Sequence, residues 1–201
     1  ALLSIVVFLL TCWSHVFRQH NTANLQSMVD ALQAEKQALG YGPSASRLIP
    51  WLTVDTSGHT TPTSCFDELV HVFLNGASGF SYYSDIDFHD MEYYVRIAEV
   101  MGLVSPFEDL IIEGQLAPFK EATNCVVSAM TLDGMYLLGV TPIDTDQRSS
   151  WTLQTNATSE YVLRDVASGM VLKRTTGRDV SMSATISKTT MYSFGPSERA
   201  Q

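Results

Sequence analysis

The apolar pattern of this chain changes its period part-way along, and no single kind of layer satisfies both halves. Up to about residue 114, short β-branched or aromatic runs alternate with segments whose apolar residues recur every three or four positions. From Asn124 onward that helical period stops, and short alternating runs follow one another between turn residues. The charge divides at the same place. Residues 1–114 hold Lys36 and three arginines against thirteen carboxylates, whereas 115–201 hold eight of each sign, so the net charge of −9 belongs to the first half. Such an acidic balance argues against a nucleic-acid partner, because attraction to phosphate needs a basic field. An apolar content of 45% excludes wholesale disorder. The expectation is an α/β domain over 1–114 followed by an all-β domain over 115–201, with the boundary between Gly114 and Ala122.

In the first half, strands are expected near residues 4–11, 47–55 and 79–85. The opening run ALLSIVVFLLTCWSHVF has three readings. It lacks the basic flank of a signal peptide. As a membrane helix, residues 1–17 are at the short limit and contain Thr11, Ser14 and His15. As a buried parallel strand it has the right β-branched content, and the β/α units that follow favour this reading. A first helix carries Leu25, Met28, Val29, Leu32 and Leu39 on one stripe, with Asn24 as N-cap and Gly40 at its end. Pro50 is awkward inside the second strand, since it lacks a ladder donor. A second helix is expected to open with Ser64 and Asp67 at capping-box spacing and to close at Asn75-Gly76. A third opens at Asp87 or His89, runs through Tyr94, Val95, Ala98 and Met101, and closes at Gly102. Strand–helix alternation of this kind implies a parallel sheet.

The second half opens with a hairpin, CVVSAMTL and MYLLGVTP joined by Asp133-Gly134. WTLQT, EYVLRDV, MVLKRT, VSMSATI and TMYSF follow, and six to eight short strands suggest an antiparallel β-sandwich. Three cysteines are too few and too scattered for a disulfide framework or a zinc site. His15, His59 and His89 with Asp85 and Asp87 could make a metal site, but they lack tight ligand spacing, so no metal is expected, and no cofactor. Asn156-Ala157-Thr158 is a glycosylation sequon, which leans towards a secreted or cell-surface glycoprotein.

Functional groups of parallel β/α folds gather at the carboxyl ends of the strands. There the sequence puts Trp13 and His15, then Asp55 and His59, then Tyr83, Asp85 and Asp87. Aromatic rings beside carboxylates suit carbohydrate, because rings stack on pyranose faces while carboxylates bind hydroxyls or transfer protons. Each residue also has a plainer role. Asp87 can cap a helix and Asp55 can form a turn. Trp13 and Tyr83 can simply pack. His71, on the helix between strands, has no case beyond structure.

The segments PWLTVDTSG, FLNGASGFSYYSDIDFHDMEYYVRIAEVM, SPFEDLIIEG and YVLRDVASGMVL, in that order, resemble a glycoside hydrolase. The likeness is to the last part of a glycoside-hydrolase-like (β/α)8 barrel followed by a C-terminal β-sandwich, over roughly residues 47–175. It implies a partial (β/α) barrel in which the three strands are the sixth, seventh and eighth. It implies that Asp55, ending the seventh, is catalytic in O-glycosyl bond hydrolysis. Trp13, His15, His59, Tyr83, Asp85 and Asp87 would then line the sugar site. A two-carboxylate mechanism needs a partner about 5–9 Å away, so another protein chain or an upstream segment must complete the barrel. The rival expectations are a non-catalytic structural or glycan-binding subunit of a larger extracellular assembly, and a β domain anchored in the membrane by residues 1–17.

Overall fold

The computed structural model of the chain describes residues 22–41, 45, 47–53, 61–83, 91–155 and 159–197. The expected strand at 4–11, and with it the signal and membrane readings of residues 1–17, lies outside them. Among the described residues no helix is long and apolar enough to cross a membrane.

Helix α1 (Thr22–Leu39) buries Leu25, Met28, Val29 and Leu32 along one stripe. It ends where Gly40, at φ +84°, donates its N–H to the Lys36 carbonyl at 3.0 Å, as the glycine leads one to expect. Its start differs. The helix is already formed at Thr22, so Asn24 sits inside the first turn and is not the N-cap.

Strand β1 (Trp51–Thr53) begins just after Pro50, which resolves the misplaced proline by shortening the strand. Helix α2 (Pro62–Phe73) is capped one turn earlier than its Ser64-Asp67 spacing suggests. Thr61 and Ser64 form the reciprocal box, with Ser64 N–H donating to Thr61 Oγ1 at 3.1 Å and Thr61 N–H donating to Ser64 Oγ at 2.8 Å. Pro62 takes the first helical position, where a missing N–H costs nothing. Gly76, at φ +76°, lies in the turn that follows.

Strand β2 (Ser81–Tyr83) runs parallel to β1, with Trp51, Leu52 and Thr53 opposite Ser81, Tyr82 and Tyr83. A parallel bridge between Leu48 and Ala77 extends the pairing backwards. Helix α3 (Met91–Val104) passes through Gly102 without stopping, and a 3-10 turn (Ser105–Phe107) carrying Pro106 leads into α4 (Glu108–Glu113). Helix α3 buries Val100 and Val104, while Tyr94, Val95, Ala98 and Met101 of the expected stripe are exposed.

Nine described strands follow, all paired antiparallel, one more than the upper expectation. A six-stranded sheet has the order β3-β5-β6-β11-β8-β9, built from β3 (Gln115–Leu116), β5 (Cys125–Leu132), β6 (Met135–Pro142), β11 (Thr190–Pro196), β8 (Tyr161–Asp165) and β9 (Val171–Thr175). A three-stranded sheet has the order β10-β7-β4, built from β10 (Asp179–Ala184), β7 (Ser149–Gln154) and β4 (Phe119–Thr123). The β5–β6 hairpin turns at Asp133 and Gly134, both with positive φ, as the Asp-Gly pair requires.

Apart from its edge strand β9, the larger sheet is buried on both faces. Leu138, Val140, Leu163 and Phe194 face Trp151, Leu153 and Val180 of the smaller sheet in one core. Val126, Met130, Leu137 and Met191 join Leu69, Val70, Leu74, Val100 and Val104 of the helical half in the other. Leu137 and Leu138 therefore belong to opposite cores, as strand alternation dictates. Each such fully buried aliphatic side chain contributes roughly 1.5–3 kcal/mol. Helix α2 is nearly buried all round, because it lies between the sheet and the β/α elements. It approaches the sheet closely at Gly139, where an added Cβ would stand 2.6 Å from Leu74 Cδ1 and 2.7 Å from Val70 Cγ1.

Candidate functional site

The parallel register fixes where a site built on strand ends would lie. Thr53 and Tyr83 are paired, so β1 and β2 finish side by side at their carboxyl ends. Tyr83 is thus the last residue of its strand, with its backbone beside Thr53. Trp13, His15, Asp55, His59, Asp85 and Asp87 lie outside the described residues, as does the sequon asparagine Asn156. Among the described residues no group of three His, Cys, Asp or Glu side chains is placed to hold a metal ion. Cys65 and Cys125 are buried thiols, and burial pushes the Cys125 thiol up, away from the thiolate a nucleophile needs.

The constellation that most resembles catalytic machinery lies elsewhere, between α2 and the six-stranded sheet. His71 Nδ1 is 2.8 Å from Ser128 Oγ, and its Nε2 is 2.9 Å from Thr141 Oγ1. Thr141 Oγ1 lies 2.6 Å from Thr189 Oγ1, which donates to Asp67 Oδ1 at 2.5 Å. Asn75 Nδ2 donates to Ser128 Oγ at 2.9 Å and to the His71 carbonyl at 2.7 Å.

A carboxylate can only accept, so Asp67 sets the direction of the whole chain. With the Thr189 hydroxyl donating to Asp67, Thr141 donates to Thr189 and accepts from His71 Nε2–H. His71 Nδ1 is then an acceptor for the Ser128 hydroxyl, which accepts in turn from Asn75. This order assigns a neutral imidazole with its proton on Nε2. Burial lowers the His71 pKa to about 3, which keeps the ring neutral. A serine donating to a histidine is the beginning of an acyl-transfer site, but His71 and Ser128 are both 0% exposed and no substrate reaches them. The network ties α2 to β5, β6 and the residue before β11. Its work is structural.

With the geometry in place, the chain can be set beside known proteins. No known protein family and no curated protein matches its sequence. Solved structures do match it in shape. An α-amylase from Geobacillus thermoleovorans superposes with a TM-score of 0.58 at 10% identity, over 93% of this chain and 47% of its own. A GH27 β-L-arabinopyranosidase from Geobacillus stearothermophilus gives 0.55 at 11% identity, over 86% of this chain and 42% of its own. A maltogenic α-amylase from Thermotoga neapolitana gives 0.51 at 10% identity, over 85% and 46%. The likeness is to glycoside hydrolase folds. The chain spans less than half the length of each of these enzymes, and identities near one in ten make the match one of architecture.

Proposed function

We propose that this chain is the C-terminal portion of a glycoside-hydrolase-like protein that acts on carbohydrate. In this reading β1 and β2 with their helices are the seventh and eighth units of a (β/α)8 barrel. The two antiparallel sheets are its C-terminal β-sandwich. The observation that carries the proposal is the in-register parallel pair ending at Thr53 and Tyr83, within a chain whose fold matches glycoside hydrolases. Two residues beyond Thr53 the sequence reaches Asp55, and two beyond Tyr83 it reaches Asp85. Asp55 is assigned the catalytic role, and Trp13, His15, His59, Tyr83, Asp85 and Asp87 the lining of the sugar site.

Uncovered surface supports a further segment. A two-stranded parallel sheet needs neighbours, and its strands are normally covered on both faces. Ile49, on the face of the chain opposite Leu48 and Pro50, is 47% exposed, and Met91 and Val95 of α3 are 71% and 58% exposed. Upstream β/α units of the same polypeptide would cover these residues and supply the second carboxylate. The Asn156 sequon supports a secreted or cell-surface setting.

The test is to express the polypeptide together with the residues encoded before Ala1 and assay chromogenic α- and β-glycosides. Hydrolysis is expected, and Asp55→Asn should lower kcat by roughly a thousandfold, a loss typical of removing a catalytic acid, base or nucleophile. An unchanged kcat in that variant removes Asp55 from the chemistry. Retention on immobilised polysaccharide without any hydrolysis would replace the enzyme by a glycan-binding protein.

A further inference from the structure

Lys36 occupies an apolar position. Its spacing from Leu32 and Leu39 puts it on the buried stripe of α1, and it is only 4% exposed. Among the described residues its side-chain ammonium makes no hydrogen bond or ion pair. The Tyr41 ring lies beside it, with its centroid 5.7 Å from Nζ. Gly76 makes room for it, since an added Cβ there would stand 2.7 Å from Lys36 Cε and 3.3 Å from Nζ.

Lys36 and Arg47 line the same shallow, solvent-open cleft, with Ala45, Leu48, Gly76, Ser78 and Ile112, and it encloses no water-sized cavity. No carboxylate is among these lining residues, in a half-chain where carboxylates outnumber cations by more than three to one. The Val72 and Phe73 carbonyls at the end of α2 are already engaged by backbone donors, Asn75 N–H and Gly76 N–H respectively. The parallel bridge Leu48–Ala77 puts the cleft at the amino ends of β1 and β2, opposite the strand ends at Thr53 and Tyr83.

We propose that Lys36 and Arg47 form a binding site for a doubly charged tetrahedral oxyanion, a phosphate or sulfate group, at the mouth of this cleft. Left empty, the site brings two like charges together and holds one of them largely out of water. Burial and the nearby Arg47 charge both lower the Lys36 pKa. A dianion turns both penalties into attraction, with Arg47 offering a planar pair of donors and Lys36 a point charge. Two positive charges match a dianion better than a monocarboxylate. The cleft is shallow, and Arg47 is exposed, so the anion lies where it can exchange with solvent.

The experiment is calorimetric titration of the 201-residue chain with inorganic phosphate, with acetate and chloride at matched ionic strength as the other arms. Saturable binding of phosphate is expected, at least tenfold tighter than acetate. Lys36→Met, which keeps the buried stem, and Arg47→Gln, on an exposed side chain, should each weaken it at least tenfold. Thermal melts of both variants check that they are folded, and Arg47→Gln decides the matter if Lys36→Met is not. No saturable phosphate binding, equal binding of acetate, or binding unchanged in folded variants would overturn the proposal and leave Lys36 as a stem that reaches for solvent.

Discussion

His71 couples the two halves through both nitrogens of its ring. Its ring is held neutral between Ser128 and Thr141 in a fully buried position, with a pKa of about 3 against about 6.5 when unfolded. Below pH 6.5 the unfolded chain binds a proton at this site that the folded chain refuses until near pH 3. Stability from this group is therefore complete above pH 6.5 and is lost as the pH falls towards 3, by an amount on the order of 5 kcal/mol at most. Denaturant midpoints measured from pH 7 to 4 should fall more steeply for the native chain than for His71→Gln, which does not titrate. Equal slopes would mean that the imidazole is protonated in the fold. At pH 7 the substitution should itself cost about 1–3 kcal/mol, because Ser128 and Thr141 lose a partner matched to both of them. Asn75 Oδ1 is already buried without a partner, so the network has no slack to absorb the change.

At the scale of elements, the decisive contact is α2 lying on β6 at Gly139. That glycine has no positive φ, and its requirement is purely one of space. Gly139→Ala should destabilise by about 1–3 kcal/mol through overpacking against Leu74 and Val70. Adding Leu74→Ala removes the nearer clash, so the double variant should be more stable than the sum of the two single losses, by at least about 0.5 kcal/mol in a thermodynamic cycle. Simple additivity would place the helix further from the sheet.

The hairpin at Asp133-Gly134, the glycine closing α1 and the strands from Trp151 to Phe194 were legible from sequence because turn chemistry and alternation are local signals. The cap of α2 was not, because Ser64 satisfies the same pattern as Thr61 one turn earlier, and Pro62 was the better marker. Strand β4, with the sequence FKEAT, has little apolar face and exposes most of its residues, so no alternation announces it. Tyr83 is the only predicted site residue that falls among the described ones, and only as a strand end. Lys36 was readable in principle as a cation on an apolar stripe. The convergence of Arg47 upon it is a tertiary fact that no spacing reveals.

For the whole molecule, the apolar surface is distributed unevenly. Apart from its edge strand β9, the six-stranded sheet is covered on both faces, by helices and by the smaller sheet, and it accounts for both buried clusters. Among the described residues, the β/α side is covered on one face alone. There Met91, Tyr94, Val95 and Met101 project from α3 at three-, four- and seven-residue steps, the pattern of a helix face made for packing. Ile49 adds to it from the segment leading into β1. Surface of this kind, when uncovered, drives association. The isolated chain should therefore self-associate with rising concentration in sedimentation velocity, through this face. Val95→Lys combined with Met101→Lys should return it to a monomer with a melting temperature almost unchanged, since exposed substitutions usually shift stability by less than about 0.5 kcal/mol. A longer polypeptide in which the proposed upstream β/α units cover this face should be monomeric without any substitution, because those units would take the place of the second copy. A native chain that stays monomeric throughout, or a double lysine variant that melts several degrees lower, would mean that this face is already covered from within the chain.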